Sequence, residues 1–271
     1  MRSEPIQNKM LAPAPELKVL RRMDYISDQK GIYRRYLREL KGWDQHLEQT
    51  GNFITRILLE NEFRHIVVLG SGWLLDFPIE RILSLVKKIT LVDVHFPEQV
   101  LKRVNELDNV DCIRADVTGG YIHAVYEQLR HNRTRFFIPG DIKNPGIKAE
   151  RGKLVLSLNI LNQLDILLVD YIQKKAVCNA DQILEFRKML QELHIRMLRE
   201  HPFILVTDFR EILINNLGKI LEEKELLFTG WPSGDLECEW DWTFDYHQLY
   251  NAHGDTQMKV RAVFSKGPQK L

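Results

Sequence analysis

Short apolar runs rich in β-branched residues alternate with stretches of helical periodicity from residue 65 onward. The first run, His65–Leu69, is followed at once by Gly70-Ser71-Gly72. Four further runs are predicted as strands, namely Ile89–Val94, Val110–Ala115, Leu154–Leu158 and Phe203–Thr207. Alternating strands and helices predict a parallel sheet with helices on both faces.

Helical stretches follow the predicted strands. They are predicted at Pro78–Val86, Pro97–Leu107, Thr118–Leu129, Ile160–Tyr171, Asp181–Glu200 and Ile212–Leu221. Two successive strands, Trp240–Tyr246 and Val260–Phe264, close the pattern, and such a pair adds an antiparallel strand at a sheet edge. The sequence therefore predicts an α/β protein with a Rossmann-like, mostly parallel seven-stranded sheet and an antiparallel edge strand.

The residues N-terminal to this pattern differ from it in composition and periodicity. Residues 1–16 contain three prolines and few large apolar side chains, which predicts a flexible arm. Residues 17–62 place apolar side chains such as Tyr33 and Leu40 on one stripe, which predicts a helical N-terminal extension that could act as a lid. Residues 63–268 then form the α/β domain.

Composition narrows the class of protein. The 271 residues are 44% hydrophobic and carry a net charge of +1, so most of the chain is expected to be folded and nothing global favours a nucleic-acid or membrane partner. The three cysteines, Cys112, Cys178 and Cys238, are widely separated, so neither a disulfide framework nor a metal site is expected. We expect a cytoplasmic protein without membrane spans.

The near-zero net charge conceals local charge. Basic segments around Arg34–Lys41 and residues 133–153 keep an RNA partner open as an alternative. Residues 131–153 are too long for an ordinary connection, so they are either a functional lid or an insertion. The acidic stretch Trp231–Tyr246 carries three tryptophans that could stack on a substrate or simply pack the outer strand.

The turn after the first strand suggests a ligand site, because ligands of open α/β sheets bind outside the carboxyl ends of the strands. Two glycines in Gly70-Ser71-Gly72 allow close backbone approach. Asp93 ends the second strand, 21 residues after Gly72, where a carboxylate can accept hydrogen bonds from ribose hydroxyls. Asp116 ends the third strand, where it can bind the exocyclic amine of adenine while Val117 packs on the ring.

The same turn argues against a dinucleotide. The pyrophosphate-binding fingerprint needs a small residue at its third conserved position, and this chain has Leu75 there. A nicotinamide-dependent oxidoreductase is therefore disfavoured. A nucleoside ligand that carries an amino-acid tail in place of phosphates does not need that close approach.

These residues resemble those of class I S-adenosylmethionine-dependent methyltransferases. The resemblance rests on Val67–Gly72, Asp93, Asp116 and Ser157–Gln163. The chain is also similar to an uncharacterised methyltransferase-like group with a G-S-G-x-L-x-D-x-P turn, here Gly70–Pro78, and a helical N-terminal extension, here with Trp43 and His46.

The resemblance implies S-adenosylmethionine as cofactor. It implies that Gly70, Ser71 and Gly72 contact the methionine moiety, that Asp93 binds the ribose, and that Asp116 and Val117 bind the adenine. Val94, next to Asp93, is expected in the same cofactor site.

The fourth strand end is where the acceptor of a methyl group is expected. Ser157, Asn159, Asn162 and Gln163 cluster there. Asn159 is the best candidate for holding donor or acceptor, although it and Gln163 could instead cap the next helix. Trp43, His46 and Gln163 are candidate substrate contacts, and no catalytic base is identified.

Two functions remain open. The first is methyl transfer to an unidentified, small-molecule acceptor. The second is a nonenzymatic nucleoside-binding or scaffold protein on the same fold, which the wholly apolar His65–Leu69 strand, lacking the usual acid, favours.

Overall fold

The computed structural model describes residues 11–130, 134–140, 146–147 and 152–268. Its helices are α1 Leu17–Arg22, α2 Tyr25–Arg38, α3 Leu40–Glu60, α4 Ile79–Ile82, α5 Glu98–Val104, α6 Tyr121–Leu129, α7 Ile166–Lys175 and α8 Ala180–Leu198, with a 3-10 turn at Leu161–Gln163. Its strands are β1 Ala12–Pro13, β2 His65–Leu69, β3 Lys88–Asp93, β4 Val110–Asp116, β5 Thr134–Arg135, β6 Lys153–Leu158, β7 Ala176–Val177, β8 Phe203–Ile214, β9 Ile220–Glu225, β10 Leu236–Asp245 and β11 Asp255–Ser265.

Among the described residues the main sheet has nine strands, and seven of them reproduce the predicted Rossmann-like arrangement in the order β4-β3-β2-β6-β8-β11-β10, with β1 added beside β4 and β9 beside β8. The first five are parallel to one another, and β11 runs antiparallel to both of its neighbours. The mostly parallel α/β fold is therefore confirmed. The antiparallel strand lies between β8 and β10, one place inside the edge at which it was predicted.

Both faces of the sheet are covered. Ile66 of β2 and Leu91 of β3 belong to a core cluster that includes Ile54 of α3, whereas Val67 of β2 packs in a second cluster with Met197 of α8. Neighbouring residues of one strand thus enter opposite cores, because side chains alternate across a strand. The N-terminal extension covers one of these faces through α3.

The predicted helix at Ile212–Leu221 is wrong. Strand β8 continues to Ile214, turns, and pairs antiparallel with β9. The turn is set by Asn215, whose Oδ1 accepts the backbone N–H groups of Leu217 and Lys219, and by Gly218 at φ 75°. Asn and Gly at these positions favour a tight turn over a helix, so the fifth unit is a hairpin.

Two other boundaries shift for local reasons. Helix α6 begins at Tyr121, after Gly119 and Gly120, which both have positive φ. Helix α4 is reduced to Ile79–Ile82. Within the described part of the chain, no helix is long and apolar enough to cross a membrane.

The predicted N-terminal arm lies partly outside the described residues, which begin at residue 11. Ala12 and Pro13 pair antiparallel with Asp116 and Ala115 of β4, and Leu11 is buried beside them in the core. The described end of the arm is therefore bound to the edge of the sheet.

Candidate functional site

A cavity of about 580 Å³ opens at the carboxyl ends of the parallel strands. Helix α2, the glycine turn and the ends of β3, β4, β6 and β8 contribute to its wall. All but one of the residues predicted for cofactor or substrate line it: Gly70, Ser71, Gly72, Asp93, Val94, Asp116, Val117, Asn159, Trp43 and Gln163. The exception is His46, which is fully buried behind the wall.

The glycine turn is held by backbone bonds and by close packing. The N–H of Gly70 donates to the carbonyl of Val92 at 2.9 Å. Gly70 has φ 65°, and a Cβ there would lie 2.2 Å from Cδ1 of Ile160. Gly72, at φ 42°, differs, since the nearest atom to a Cβ there would be Oδ2 of Asp93 at 3.8 Å. A Cβ at Gly72 would thus be in ordinary van der Waals contact with this carboxylate, whereas one at Gly70 would clash.

Asp93 lies at the end of β3 and contacts this turn directly. Its Oδ2 accepts the N–H of Gly72 at 2.8 Å, and its Oδ1 accepts the N–H of His95 at 3.2 Å. Burial raises the pKa of Asp93 to about 6. An ionised carboxylate has up to four acceptor positions, so Asp93 keeps acceptor capacity for a ribose hydroxyl. The position and chemistry of Asp93 fit the ribose of a nucleoside.

Helix α2 of the N-terminal extension is attached to the same turn. Gln29 donates through Nε2 to the carbonyl of His95 at 3.0 Å, and its Oε1 lies 2.9 Å from Nδ1 of that imidazole. The indole of Trp73 donates to the carbonyl of Gln29 at 2.8 Å and stacks on Tyr33 at 4.2 Å. The extension therefore forms part of the cavity roof, while lid motion stays a prediction.

Asp116 has a structural task in addition to its place on the cavity wall. Its Oδ1 accepts the backbone N–H of Thr118 at 2.9 Å and the Thr118 hydroxyl at 2.6 Å. Its Oδ2 accepts the N–H of Ile122 at 3.4 Å, and burial raises its pKa. Asp116 thus closes the turn into α6. Its contact with adenine stays a prediction.

A buried network joins the N-terminal extension to the fourth strand end. Trp240 donates through Nε1 to Nδ1 of His46 at 3.0 Å. Indole N–H can only donate, so Nδ1 of neutral His46 carries no proton and Nε2 carries one. Nε2 then donates to Oδ1 of Asp76, 3.1 Å away.

Asp76 receives a second donor on the same oxygen. Nδ2 of Asn159 lies 3.0 Å from Asp76 Oδ1 and 2.9 Å from Nε2 of His46. Because that imidazole nitrogen already carries a proton, both groups converge as donors on the carboxylate. Asn159 has φ 50°, a left-handed backbone conformation that asparagine adopts more readily than most residues. The sequence marks Asp76 only as the acid of the Gly70–Pro78 turn.

Asp208 is a second cavity carboxylate that sequence reasoning missed. Its Oδ2 accepts from Nδ2 of Asn162 at 2.9 Å, and its Oδ1 is buried without a partner among the described residues. Burial raises the pKa of Asp208 to about 6. The β8–β11 register shifts here, with Val260 opposite Asp208 and Lys259 opposite Arg210. Such a bulge redirects side chains.

Aromatic rings form the wall beyond these carboxylates. Trp242 stacks on His46 at 4.1 Å and meets Trp43 edge to face at 4.8 Å. The guanidinium of Arg35 lies 4.8 Å from the ring centre of Phe244 and 5.1 Å from that of Tyr250. Trp242 thus lines the cavity, Trp240 lies behind its wall against His46, and Trp231 packs against Arg261 outside it.

Ser157 does not join the predicted polar cluster. Its hydroxyl lies 2.8 Å from Nε2 of His194, and both side chains are fully enclosed in the sheet–α8 layer. Burial lowers the pKa of His194 to about 4. Asn159, Asn162 and Gln163 remain on the cavity wall.

The structure bears only in part on two further features, the 131–153 segment and a possible metal site. Most of the predicted 131–153 lid or insertion lies outside the described residues. Among the residues that the structure describes, no three His, Cys, Asp or Glu side chains are grouped to hold a metal ion.

Comparison with known proteins gives a consistent but distant likeness. No protein-family model and no curated protein matches the chain. Solved structures of S-adenosylmethionine-dependent methyltransferases are similar to it over most of its length. A Burkholderia thailandensis 1,6-didemethyltoxoflavin-N1-methyltransferase, with bound 1,6-didemethyltoxoflavin and S-adenosylhomocysteine, is 11% identical with a TM-score of 0.41, covering 94% of this chain and 94% of its own.

Two further structures give the same result. DhpI in complex with S-adenosylhomocysteine is 11% identical, with a TM-score of 0.39 over 93% of this chain and 98% of its own. The N-methyltransferase NodS from Bradyrhizobium japonicum WM9 is 11% identical, with a TM-score of 0.35 over 83% of this chain and 87% of its own. At this level of similarity, the site's own geometry must carry any functional argument.

Proposed function

We propose that the protein is an S-adenosylmethionine-dependent methyltransferase that acts on a small molecule. The observation that carries the proposal is the pair of Asp93 and Gly72, whose 2.8 Å hydrogen bond joins the second strand end to the glycine turn on the cavity wall. Gly72 follows β2 and Asp93 ends β3, and these two strands are adjacent and parallel. A carboxylate that is hydrogen-bonded to a glycine turn on the cavity wall supports binding of a ribose that carries an amino-acid tail rather than phosphates.

The residues fit the cofactor in further ways. Val94 and Val117 offer apolar surface beside the two acids that end β3 and β4. When bound, S-adenosylmethionine supplies an electrophilic methyl group on a sulfonium. The protein then needs to orient an acceptor and exclude water, since methyl transfer is an in-line displacement.

The shape of the site favours a small acceptor over nucleic acid. The lining residues form a cavity of a size usual for small-molecule sites. Several cations of the basic Arg34–Lys41 segment have partners within the chain: Arg35 lies over two rings, Arg38 pairs with Glu39, and Lys41 lies over Tyr246.

Calorimetric titration with S-adenosylmethionine and S-adenosylhomocysteine tests the proposal. Asp93→Ala should weaken binding by about 100-fold, because hydrogen bonds to a charged group contribute about 1.5–3 kcal/mol each. Asp108→Ala, a matched change outside the cavity, should leave binding unchanged. A wild-type protein that binds neither ligand contradicts the proposal.

A second measurement separates turnover from binding. Release of S-adenosylhomocysteine in a panel of small acceptors supports an enzyme, whereas tight binding without turnover supports the alternative of a nonenzymatic nucleoside-binding or scaffold protein.

A further inference from the structure

Beyond the glycine turn, the cavity wall presents hydrogen-bond acceptors. The carboxylate of Asp208 accepts from Asn162, so the amide of Asn162 must turn its Nδ2 towards it and its Oδ1 away. Asp76 fixes the amide of Asn159 in the same way. Carboxylates accept and never donate when ionised. Two carboxylates therefore convert two neighbouring amides into acceptors as well.

The resulting oxygens are unsatisfied. Oδ1 of Asn159, Oδ1 of Asn162 and Oδ1 of Asp208 are all buried without a hydrogen-bond partner among the described residues. All three residues line the cavity, and each is no more than 6% exposed. Buried polar atoms are nearly always paired in folded proteins. Three unpaired acceptors at one end of a cavity point to a ligand that brings donors.

The charged side chains that line the cavity also favour a cationic ligand. Its described lining includes seven acidic and three basic side chains. Two of the basic ones are engaged within the chain, since Arg187 pairs with buried Asp165 and Arg35 lies over the rings of Phe244 and Tyr250. That pair of rings already accepts a cation, as aromatic faces do. An anionic ligand would face uncompensated carboxylates.

We infer that the acceptor of the methyl group is an amine, bound as an ammonium ion by the acceptor wall of Asn159, Asn162 and Asp208, and that Asp208 removes its proton. This inference rests on the proposed methyl transfer. Asp76, whose Oδ1 already holds two donors, adds negative charge beside the wall. His46 and Trp240 are positioning residues, since they act on the site through Asp76.

The proton must leave because an ammonium nitrogen has no lone pair. Asp208 takes one N–H proton and becomes a neutral carboxylic acid, which leaves a free amine. The amine lone pair then forms the new N–CH₃ bond as the S–CH₃ bond breaks, and its electron pair returns to sulfur. The products are the methylated ammonium ion and S-adenosylhomocysteine. With a pKa raised to about 6 by burial, Asp208 suits reversible proton transfer near neutral pH.

Matched ligands test the inference by calorimetry on the full chain saturated with S-adenosylhomocysteine. A panel of primary and secondary amines, including tyramine and spermidine, is compared with tyrosol and 4-hydroxyphenylacetate, the neutral and anionic counterparts of tyramine. At least one amine should bind ten times more tightly than both counterparts. If no amine does so, the inference is overturned, whereas absence of S-adenosylhomocysteine binding overturns the proposed function instead.

Variants test the assigned residue. Asp208→Asn should weaken the binding of the best amine at least tenfold while S-adenosylhomocysteine affinity changes less than twofold. Asp170→Asn removes another cavity-lining carboxylate outside the acceptor wall, and should weaken amine binding less than threefold because it supplies only general negative charge. Equal effects of the two variants contradict a specific role for Asp208. Asp208→Glu keeps the negative charge and should retain more amine affinity than Asp208→Asn. This variant therefore distinguishes the effect of losing the carboxylate from the effect of misfolding.

Discussion

Trp240 Nε1 donates a 3.0 Å hydrogen bond to Nδ1 of His46, and this bond fixes which imidazole nitrogen carries the proton. The donor comes from β10 and the acceptor from α3, so the N-terminal extension and the last strand pair jointly orient a group behind the cavity wall. The consequence reaches the cavity through Asp76, whose Oδ1 accepts the Nε2–H of His46.

Trp240→Phe removes the donor and keeps an aromatic ring. Nδ1 of His46 is then buried without a partner, which costs about 1–3 kcal/mol of unfolding free energy. Denaturant unfolding should show this loss, and the ¹⁵N chemical shift of Nδ1 of His46 should move because the hydrogen bond that it accepts is gone, while Nε2 keeps its proton towards Asp76. Trp231→Phe, a matched change away from the cavity, should leave the His46 shifts unchanged. An Nδ1 shift that is the same in Trp240→Phe and in the wild type would show that the indole does not donate to it.

Gly70→Ala should destabilise the fold through a specific clash. The added Cβ would lie 2.2 Å from Cδ1 of Ile160, and overpacking of this kind costs about 1–3 kcal/mol beyond the left-handed backbone strain of about 1–2 kcal/mol. In a double-mutant cycle, Ile160→Ala should recover about 1 kcal/mol or more of the clash, measured by denaturant unfolding.

Gly72→Ala is the control for that cycle. Its Cβ would have no neighbour closer than 3.8 Å, so only backbone strain should appear, and Ile160→Ala should not offset it. If the changes in unfolding free energy from Gly70→Ala and Ile160→Ala are additive, the turn relaxes so that the new Cβ does not clash with Ile160.

The sequence predicts correctly which side chains meet at the strand ends, because parallel strands bring their carboxyl ends to one edge. Asp93 and Asp116 end neighbouring strands, so strand boundaries alone are enough to place them together. Asn159 directly follows β6, another parallel strand, and so lies at the same edge of the sheet. Nothing beyond local pattern and sheet geometry is needed for these three positions.

The contacts around His46 and Asp208 could not be predicted in this way. His46 and Trp240 are 194 residues apart and meet only because α3 packs against β10. Asp208 lies within β8, which continues past the predicted end at Thr207, and the adjacent bulge depends on how β11 pairs with that strand. Contacts of this kind depend on tertiary packing, which propensity and periodicity do not encode.

His194 should make the fold sensitive to acid. Burial lowers the pKa of His194 to about 4, compared with 6.5 for a free imidazole. Between these values the unfolded chain binds the extra proton and the folded chain does not, so this contribution to stability is complete above pH 6.5 and is lost as pH falls towards 4. The full loss is about 3 kcal/mol.

The variant His194→Gln isolates this contribution. Unfolding free energy measured from pH 7 to pH 4 should fall less steeply in the variant than in the wild type. His123→Gln changes an exposed histidine of α6 and should leave the slope as it is. Parallel curves for the wild type and His194→Gln would mean that the buried imidazole does not remain neutral.

Asp93 should make cofactor affinity rise with pH, because its carboxyl group must ionise to bind the ribose hydroxyls. Its pKa is raised to about 6 by burial, and the carboxylate accepts a hydrogen bond from a ribose hydroxyl more strongly than the neutral acid does. Affinity for S-adenosylhomocysteine should therefore rise with pH through about 6, by about tenfold between pH 5 and pH 7. The variant Asp93→Asn should lose this pH dependence and should bind S-adenosylhomocysteine weakly at every pH. Asp208→Asn keeps Asp93 and should retain it, which separates the cofactor carboxylate from the second cavity acid with a similar pKa. If the rise disappears in Asp208→Asn and persists in Asp93→Asn, the two acids have been assigned the wrong ligands, because the group that titrates on cofactor binding must be the one that contacts it.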